Sequence, residues 1–141
     1  MKAPYLNPYL SFEGNCREAM TFYQQCLGGE LMIQEVAGTP AAEHMPAEAQ
    51  NGVLHASLTN GSIILFGSDA GGQKVTRGNS ISLSLNCGSE EEITTCFRKL
   101  AEGGNVTMPL DDTFWGAKFG MLTDRFGMDW LLNYDKEPSQ Q

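Results

Sequence analysis

Apolar residues recur at helical spacing in two places along the chain, and both runs are bounded in the same way. Ala19, Phe22, Tyr23, Cys26 and Leu27 follow one another at i, i+3, i+4, i+7 and i+8, which predicts one buried face of an amphipathic helix. Asn15-Cys16-Arg17-Glu18 precedes them with the spacing of a capping box, its Asn15 side chain placed to accept a backbone N–H of the first turn. Gly28-Gly29 stops the run. Ile93, Cys96, Phe97, Leu100 and Ala101 repeat the spacing, after a second capping box, Ser89-Glu90-Glu91-Glu92, and before Gly103-Gly104. When Asn15 is laid on Ser89, all of these apolar positions coincide, which points to an internal duplication.

The flanking segments have the period of strands. Before the first helix, Tyr9-Leu10-Ser11-Phe12 reads as a short strand. Before the second, residues 80–85 alternate strictly, so that Ile81, Leu83 and Leu85 face one side and the serines, Ser82 among them, the other. Strands are expected at 30–36, 53–58 and 62–67 after the first helix, the last two joined at Asn60-Gly61. After the second helix they are expected near 105–108 and at 118–123 and 128–134. Residues 38–50, rich in Ala, Pro and Glu, read as a long loop, and 136–141 as a tail.

Each half therefore reads strand, helix and three strands. The expected class is α+β, a single domain of two tandem βαβββ modules at about 8–70 and 79–135, forming a curved mixed sheet with a cleft. One sheet face packs on the helix, and the other needs a second module or another chain to cover it.

Composition narrows the partners. A formal net charge of −8, with nine Lys and Arg scattered along the chain, argues against nucleic acid or an anionic membrane as partner. No apolar run is long enough to span a bilayer, and residues 1–8 do not form a signal peptide, so a cytoplasmic location is the expectation. The four cysteines show neither zinc spacing nor a C-x-x-C pair, and buried, reduced thiols are expected.

Strand parity nominates side chains for the cleft. If Leu54, Ala56 and Leu58 pack on the helix, then Val53, His55 and Ser57 face away from it. His55 is the best-placed imidazole. It is either a general base, proton donor or single metal ligand, or a hydrogen-bonded core histidine. Asp69 orients His55, or binds a substrate hydroxyl, or caps the turn at Ala70-Gly71. Asp129 shares parity with Leu131 and needs a partner if it is buried. Trp115 is either a flat wall for a planar ligand or core, and Trp130 is expected in the core. His44 and Met45 form a lid or, for His44, lie in solvent.

The run Pro8-Tyr-Leu-Ser-Phe-Glu-Gly-Asn-Cys-Arg-Glu-Ala-Met-Thr-Phe-Tyr23, with Gly28-Gly29-Glu30, resembles the PhnB-like branch of the glyoxalase/bleomycin-resistance/dioxygenase (vicinal-oxygen-chelate) superfamily. His55-Ala56, Ser68-Asp69, Phe114-Trp115-Gly116 with Phe119-Gly120, and Thr123-Asp124-Arg125-Phe126-Gly127-Met128-Asp129-Trp130 extend the likeness over nearly the whole chain. That branch is often labelled demethylubiquinone methyltransferase-like. No Gly-rich strand-to-helix loop for a nucleotide-like methyl donor is present to support that activity.

The resemblance implies a small-molecule cleft, a homodimer, and four strand positions that hold a divalent ion in metal-using relatives. Those positions fall near Tyr9, near Leu65, at Ser80 or Ser82, and at Leu131. One phenol, two leucines and a serine do not make the imidazole and carboxylate donor set such an ion needs. The expected function is a small-molecule binding protein or metal-independent enzyme with no cofactor, its ligand lined by Tyr9, His55, Leu65, Ser82, Trp115, Asp129 and Leu131, with His55 and Asp69 as the catalytic candidates. A metal-dependent lyase, transferase or dioxygenase with a relocated metal, and a drug-sequestering resistance protein, are the alternatives.

Overall fold

The repeated pattern becomes a repeated topology. In the computed structural model, which describes residues 3–69 and 73–136, the first half contains β1 (Tyr9–Ser11), α1 (Cys16–Leu27), β2 (Glu30–Glu35), β3 (Val53–Asn60) and β4 (Ile63–Ser68). The second contains β5 (Leu83–Asn86), α2 (Glu90–Ala101), β6 (Asn105–Asp112), β7 (Ala117–Thr123) and β8 (Asp129–Asp135). The strands form two four-stranded mixed sheets, ordered β1-β4-β3-β2 and β5-β8-β7-β6. In each, the first strand pairs parallel to the last and the remaining pairs are antiparallel. The chain divides into two compact units, Met1–Thr76 and Arg77–Gln141.

In the first unit, register decides which residues meet the helix. Leu58 pairs with Leu65, and Ala56 and Leu10 both pair with Gly67. These residues face α1, whose Met20 and Cys16 sulfurs lie directly over Gly67. Phe12, Met20, Tyr23 and Leu58 are fully buried there, each contributing on the order of 1.5–3 kcal/mol by leaving water. Ile93, Phe97 and Leu100 of α2 pack in the same manner with Leu122, Trp130 and Leu132. The double glycines also act alike. A Cβ on Gly29 would overlap the Thr59 carbonyl oxygen, and one on Gly104 the Thr123 carbonyl oxygen, so each helix exit runs against a strand where only glycine fits.

The structure departs from the sequence expectations in several places. Parity inverts at the start of β3, where a bulge opposite Gln34 and Glu35 makes Leu54 the extra residue. Val53 is buried as a result and Leu54 only half-buried. Strand β5 begins at Leu83, paired with Trp130, which leaves Ile81 80% exposed and Ser82 outside the strand. Strand β6 runs on to Asp112 past Pro109, which two register shifts on this edge strand accommodate. Residues 38–50 contain two 3-10 turns, Pro40–His44 and Ala47–Ala49. The β3–β4 turn is Gly61-Ser62, since Asn60 pairs with Ile63 and donates its side-chain amide to the Leu27 carbonyl at the end of α1.

The helix caps are the most informative difference. Ser89 accepts from Glu92 N–H as in a capping box, while Glu92 reaches one residue further back than the N-cap and accepts from Gly88 N–H. Asn15 makes no side-chain cap bond. The first turn of α1 is held by a residue far along the chain, Asp69, whose Oδ1 accepts from Gly14 N–H and Cys16 N–H while Oδ2 accepts from Val53 N–H. Asp69→Asn should cost about 3 kcal/mol or more in urea unfolding, because however the amide is turned its NH2 faces a backbone donor. Asn15→Ala should stay within about 0.5 kcal/mol. Equal costs at the two positions would refute this assignment of the cap.

Candidate functional site

Residues on the helix-free face of the first sheet are set by the same register. Met32, Ser57, Phe66 and Tyr9 form one row across β2, β3, β4 and β1. Gln34 and His55 pair in the next row. Tyr9 reaches diagonally over β4, so that its hydroxyl lies 3.0 Å from His55 Nδ1. Phe66 completes the group, its ring centroid 6.1 Å from that of Tyr9 and 5.4 Å from that of His55. Tyr9 is 51% exposed and His55 half-buried, which leaves the pair open to a ligand.

The pair can move a proton. If the phenol donates to Nδ1, Nε2 carries the ring proton and donates outward while the phenol oxygen accepts. If Nδ1–H donates to the phenol oxygen, the hydroxyl proton points outward and Nε2 accepts. Both tautomers present one donor and one acceptor, in exchanged positions. Those are the requirements of general acid–base chemistry or of recognising a carbonyl beside a hydroxyl.

Two candidates from this module belong elsewhere. Leu65 is 5% exposed and faces α1, so it is core and not a ligand contact; Phe66 occupies the helix-free position. Asp69 shares the helix-facing parity of Leu65 and Gly67, is 7% exposed, and has both oxygens taken by backbone N–H groups. The hydrogen-bond partner of His55 Nδ1 is Tyr9 and not Asp69, and Asp69, whose Oδ2 accepts a single N–H, lines a cavity of the first unit. The turn at Ala70-Gly71 that it was expected to cap lies outside the described residues.

In the second module, Leu131 sits between Ser84 and Met121 on the helix-free face, with Phe119 opposite Asn133 one step away. Ser82 is exposed before β5, and Ser84 takes the place beside Leu131. Asp129 is half-buried and accepts from the Thr123 hydroxyl at 2.6 Å, a cross-strand pair that accounts for its carboxylate. Trp115 is exposed at the β6–β7 hairpin, edge-on to Phe114 at 4.9 Å and to Phe119 at 6.4 Å, so it borders the helix-free face and is not core.

Two features escaped the sequence reading. Asp124 is buried and builds the β7–β8 turn, accepting from Phe126 N–H, Met128 N–H and, at 2.8 Å, Trp130 Nε1. The indole nitrogen is the signal that was available, because a core tryptophan needs an acceptor. The second feature is a cavity of about 320 Å³ within the first unit, lined by Glu13, Val36, Met45, Glu48 and Leu54 among others. The bulge at Leu54 and the second 3-10 turn, Ala47–Ala49, contribute to its walls, and neither is legible from periodicity. His44 is exposed.

The metal positions of the superfamily do not fit an ion. Leu65 is in the core and Leu131 offers no donor, leaving a phenol in one module and a serine in the other. Among the described residues, no three His, Cys, Asp or Glu side chains converge elsewhere. None of the described helices is long and apolar enough to cross a membrane.

Two βαβββ units with helix-free sheet faces define the glyoxalase/bleomycin-resistance fold. A solved glyoxalase/bleomycin resistance protein/dioxygenase from Nocardioides shares it at a TM-score of 0.59 and 18% identity, over 100% of this chain and 91% of that one. The family model described as 3-demethylubiquinone-9 3-methyltransferase matches residues 4–133, and the chain belongs to that PhnB-like family. It is similar to protein YjdN of Escherichia coli (strain K12), 33% identical over 145 residues, covering 96% of this chain and 99% of YjdN. Protein PA1353 from Pseudomonas aeruginosa is 41% identical with a TM-score of 0.81, covering 94% of this chain and 98% of that one. The PhnB protein from Bacillus cereus is 30% identical with a TM-score of 0.73, over 93% and 99%.

The placement of Leu65 is directly testable. Leu65→Ala should destabilise the protein by about 2–5 kcal/mol as a core truncation, and Leu131→Ala on the helix-free face by clearly less. A urea midpoint for Leu65→Ala matching the parent protein would place Leu65 outside the core.

Proposed function

We propose that this protein binds an organic small molecule on the helix-free face of its first sheet and acts on it, where it acts, by proton transfer without a divalent metal. The carrying observation is the Tyr9–His55 hydrogen bond at 3.0 Å beside Phe66. It sets an acid–base pair against an aromatic surface, and ligand sites commonly combine a few convergent polar groups with apolar walls. Tyr9, His55 and Phe66 of the first module are the contacts this reading assigns. The donor chemistry at the superfamily's metal positions supports the metal-free form over an ion held at those positions.

A cytoplasmic homodimer belongs to the same reading. Val106 and Met108 on the edge strand β6, with Phe114 and Trp115 at its hairpin, expose apolar surface of the kind protein interfaces cover. Sedimentation is expected to give twice the chain mass, and a monomer at micromolar concentration would remove the dimer.

The ligand reading is tested by a thermal-shift screen of small metabolites, since a ligand that binds only the folded state raises the melting temperature. For a hit, Tyr9→Phe should weaken binding about fivefold, the effect of one lost hydrogen bond, and His55→Ala should weaken it more. Binding and any turnover should survive EDTA. Loss on chelation with recovery on adding a divalent cation would overturn the metal-free mechanism, and hits indifferent to both substitutions would overturn the site.

A further inference from the structure

The cavity of about 320 Å³ in the first unit shares no lining residue with the Tyr9–His55–Phe66 group, so its occupant is a separate question from the ligand reading above. Val36, Met45 and Leu54 give it apolar walls, and Glu13, Glu48 and Asp69 give it three carboxylates. Among the described residues that line it, none is basic. Its volume lies at the small end of the range in which proteins hold organic ligands.

The walls are held by bonds of their own. The Gln50 side-chain amide donates to the Ala42 and Met45 carbonyl oxygens, and the Thr39 hydroxyl donates to the Val36 carbonyl oxygen. Val36 N–H donates to the Gly52 carbonyl oxygen, closing the segment between β2 and β3. Glu13 is fixed by Val75 N–H at 3.0 Å. At Gly52 a Cβ would stand 3.1 Å from the Ala49 carbonyl oxygen and 3.3 Å from Asp69 Oδ2, so a side chain there would crowd the acid that the cavity reaches. A site with ordered walls costs less entropy to fill.

The distribution of charge names the ligand class. Asp69 is 7% exposed and holds its three backbone donors, but Oδ2 accepts only one of them and keeps a lone pair. Glu13 and Glu48 are exposed. One acid is therefore buried and two are at the surface, with apolar residues among them. A metal ion needs donors that converge on one point, and among the described residues no three His, Cys, Asp or Glu side chains do so. An anion meets only repulsion here, and a neutral molecule leaves the carboxylates unused. An apolar chain with an ammonium group at each end suits both the acids and the walls.

We propose that this cavity binds a short aliphatic diamine. One ammonium group donates to Asp69 Oδ2, the other is drawn to Glu13 and Glu48, and the methylene chain lies against Val36, Met45 and Leu54. The Asp69 cap of α1 stays intact, since the ammonium uses a lone pair that no backbone amide occupies.

The test titrates diaminobutane into the full chain at low salt, followed by calorimetry. Binding should saturate at one molecule per chain, while butanol and butyrate should not bind. Glu48→Gln should weaken binding about threefold, the weight of a solvent-exposed ion pair. Glu91→Gln, which removes an equal charge from the exposed first turn of α2, should leave it unchanged. Ala49→Trp sets an indole into the cavity and should abolish binding; should that variant fail to fold, the two glutamate variants still decide the matter. Tyr9→Phe should not alter diamine affinity, which separates this site from the acid–base pair. No binding of the diamine would overturn the proposal, as would butanol binding equally well, equal losses in Glu48→Gln and Glu91→Gln, or undiminished binding to folded Ala49→Trp.

Discussion

The Asp69 carboxylate holds three backbone N–H groups that would otherwise be left without partners where α1, β3 and β4 converge. The topology makes this possible. Because β1 runs parallel to β4, both strands end at the same side of the sheet. The helix that starts just after β1 therefore begins beside the residue that ends β4. A carboxylate there meets the unpaired amides and the positive end of the helix dipole together. The second module has the same strand order but caps α2 locally with Ser89, and it spends its own buried carboxylate, Asp124, on the turn that carries Trp130. Topology was duplicated in the two halves; the polar fastening was not.

This use of carboxylates decides where chemistry can occur. The buried acids of both modules have their oxygens committed to N–H donors, so the helix-facing side of each sheet is structural. On the opposite face the first module presents an imidazole and a phenol, and the second presents Leu131, Met121 and Phe119. The bulge at Leu54 matters to that division. It lets Val53 enter the core while His55, only two residues later, stays on the helix-free face, and it turns Leu54 toward the cavity beside residues 38–50.

Much of this architecture was legible in the sequence because it rests on local periodicity. The helix stripes, the double glycines and the alternation near Leu83 and Leu85 are properties of short windows, and they set element order and the duplication. Features that depend on pairing were not legible. The bulge at Leu54 reversed the parity of Val53, pairing of β5 with β8 started only at Leu83 and left Ile81 and Ser82 outside the strand, and the passage of β6 past Pro109 needed two register shifts. Tyr9 and His55 were named separately, one from the family resemblance and one from strand parity. Their hydrogen bond spans three strands and has no sequence signature. The cap of α1 was assigned to Asn15 for a related reason: Asn15 had the right spacing, and only the fold could show that a better acceptor arrives from 53 residues beyond Cys16.

The cap also bears on the methyl-transfer description attached to the family. A nucleotide-like methyl donor is usually held where a strand gives way to a helix, with exposed backbone amides at the helix start as part of the site. Here both such junctions are already filled by the protein's own side chains. Gly14 and Cys16 donate to Asp69, Glu92 N–H donates to Ser89, and Gly88 donates to Glu92. A cofactor entering at α1 would have to displace a buried carboxylate and leave it without donors, a cost of several kcal/mol before any contact of its own is counted. No such cost attends a ligand on the helix-free faces, where the Tyr9–His55 pair is already exposed. The same carboxylate that completes the first helix therefore weighs against the chemistry the family description names and in favour of a site on the other side of the sheet.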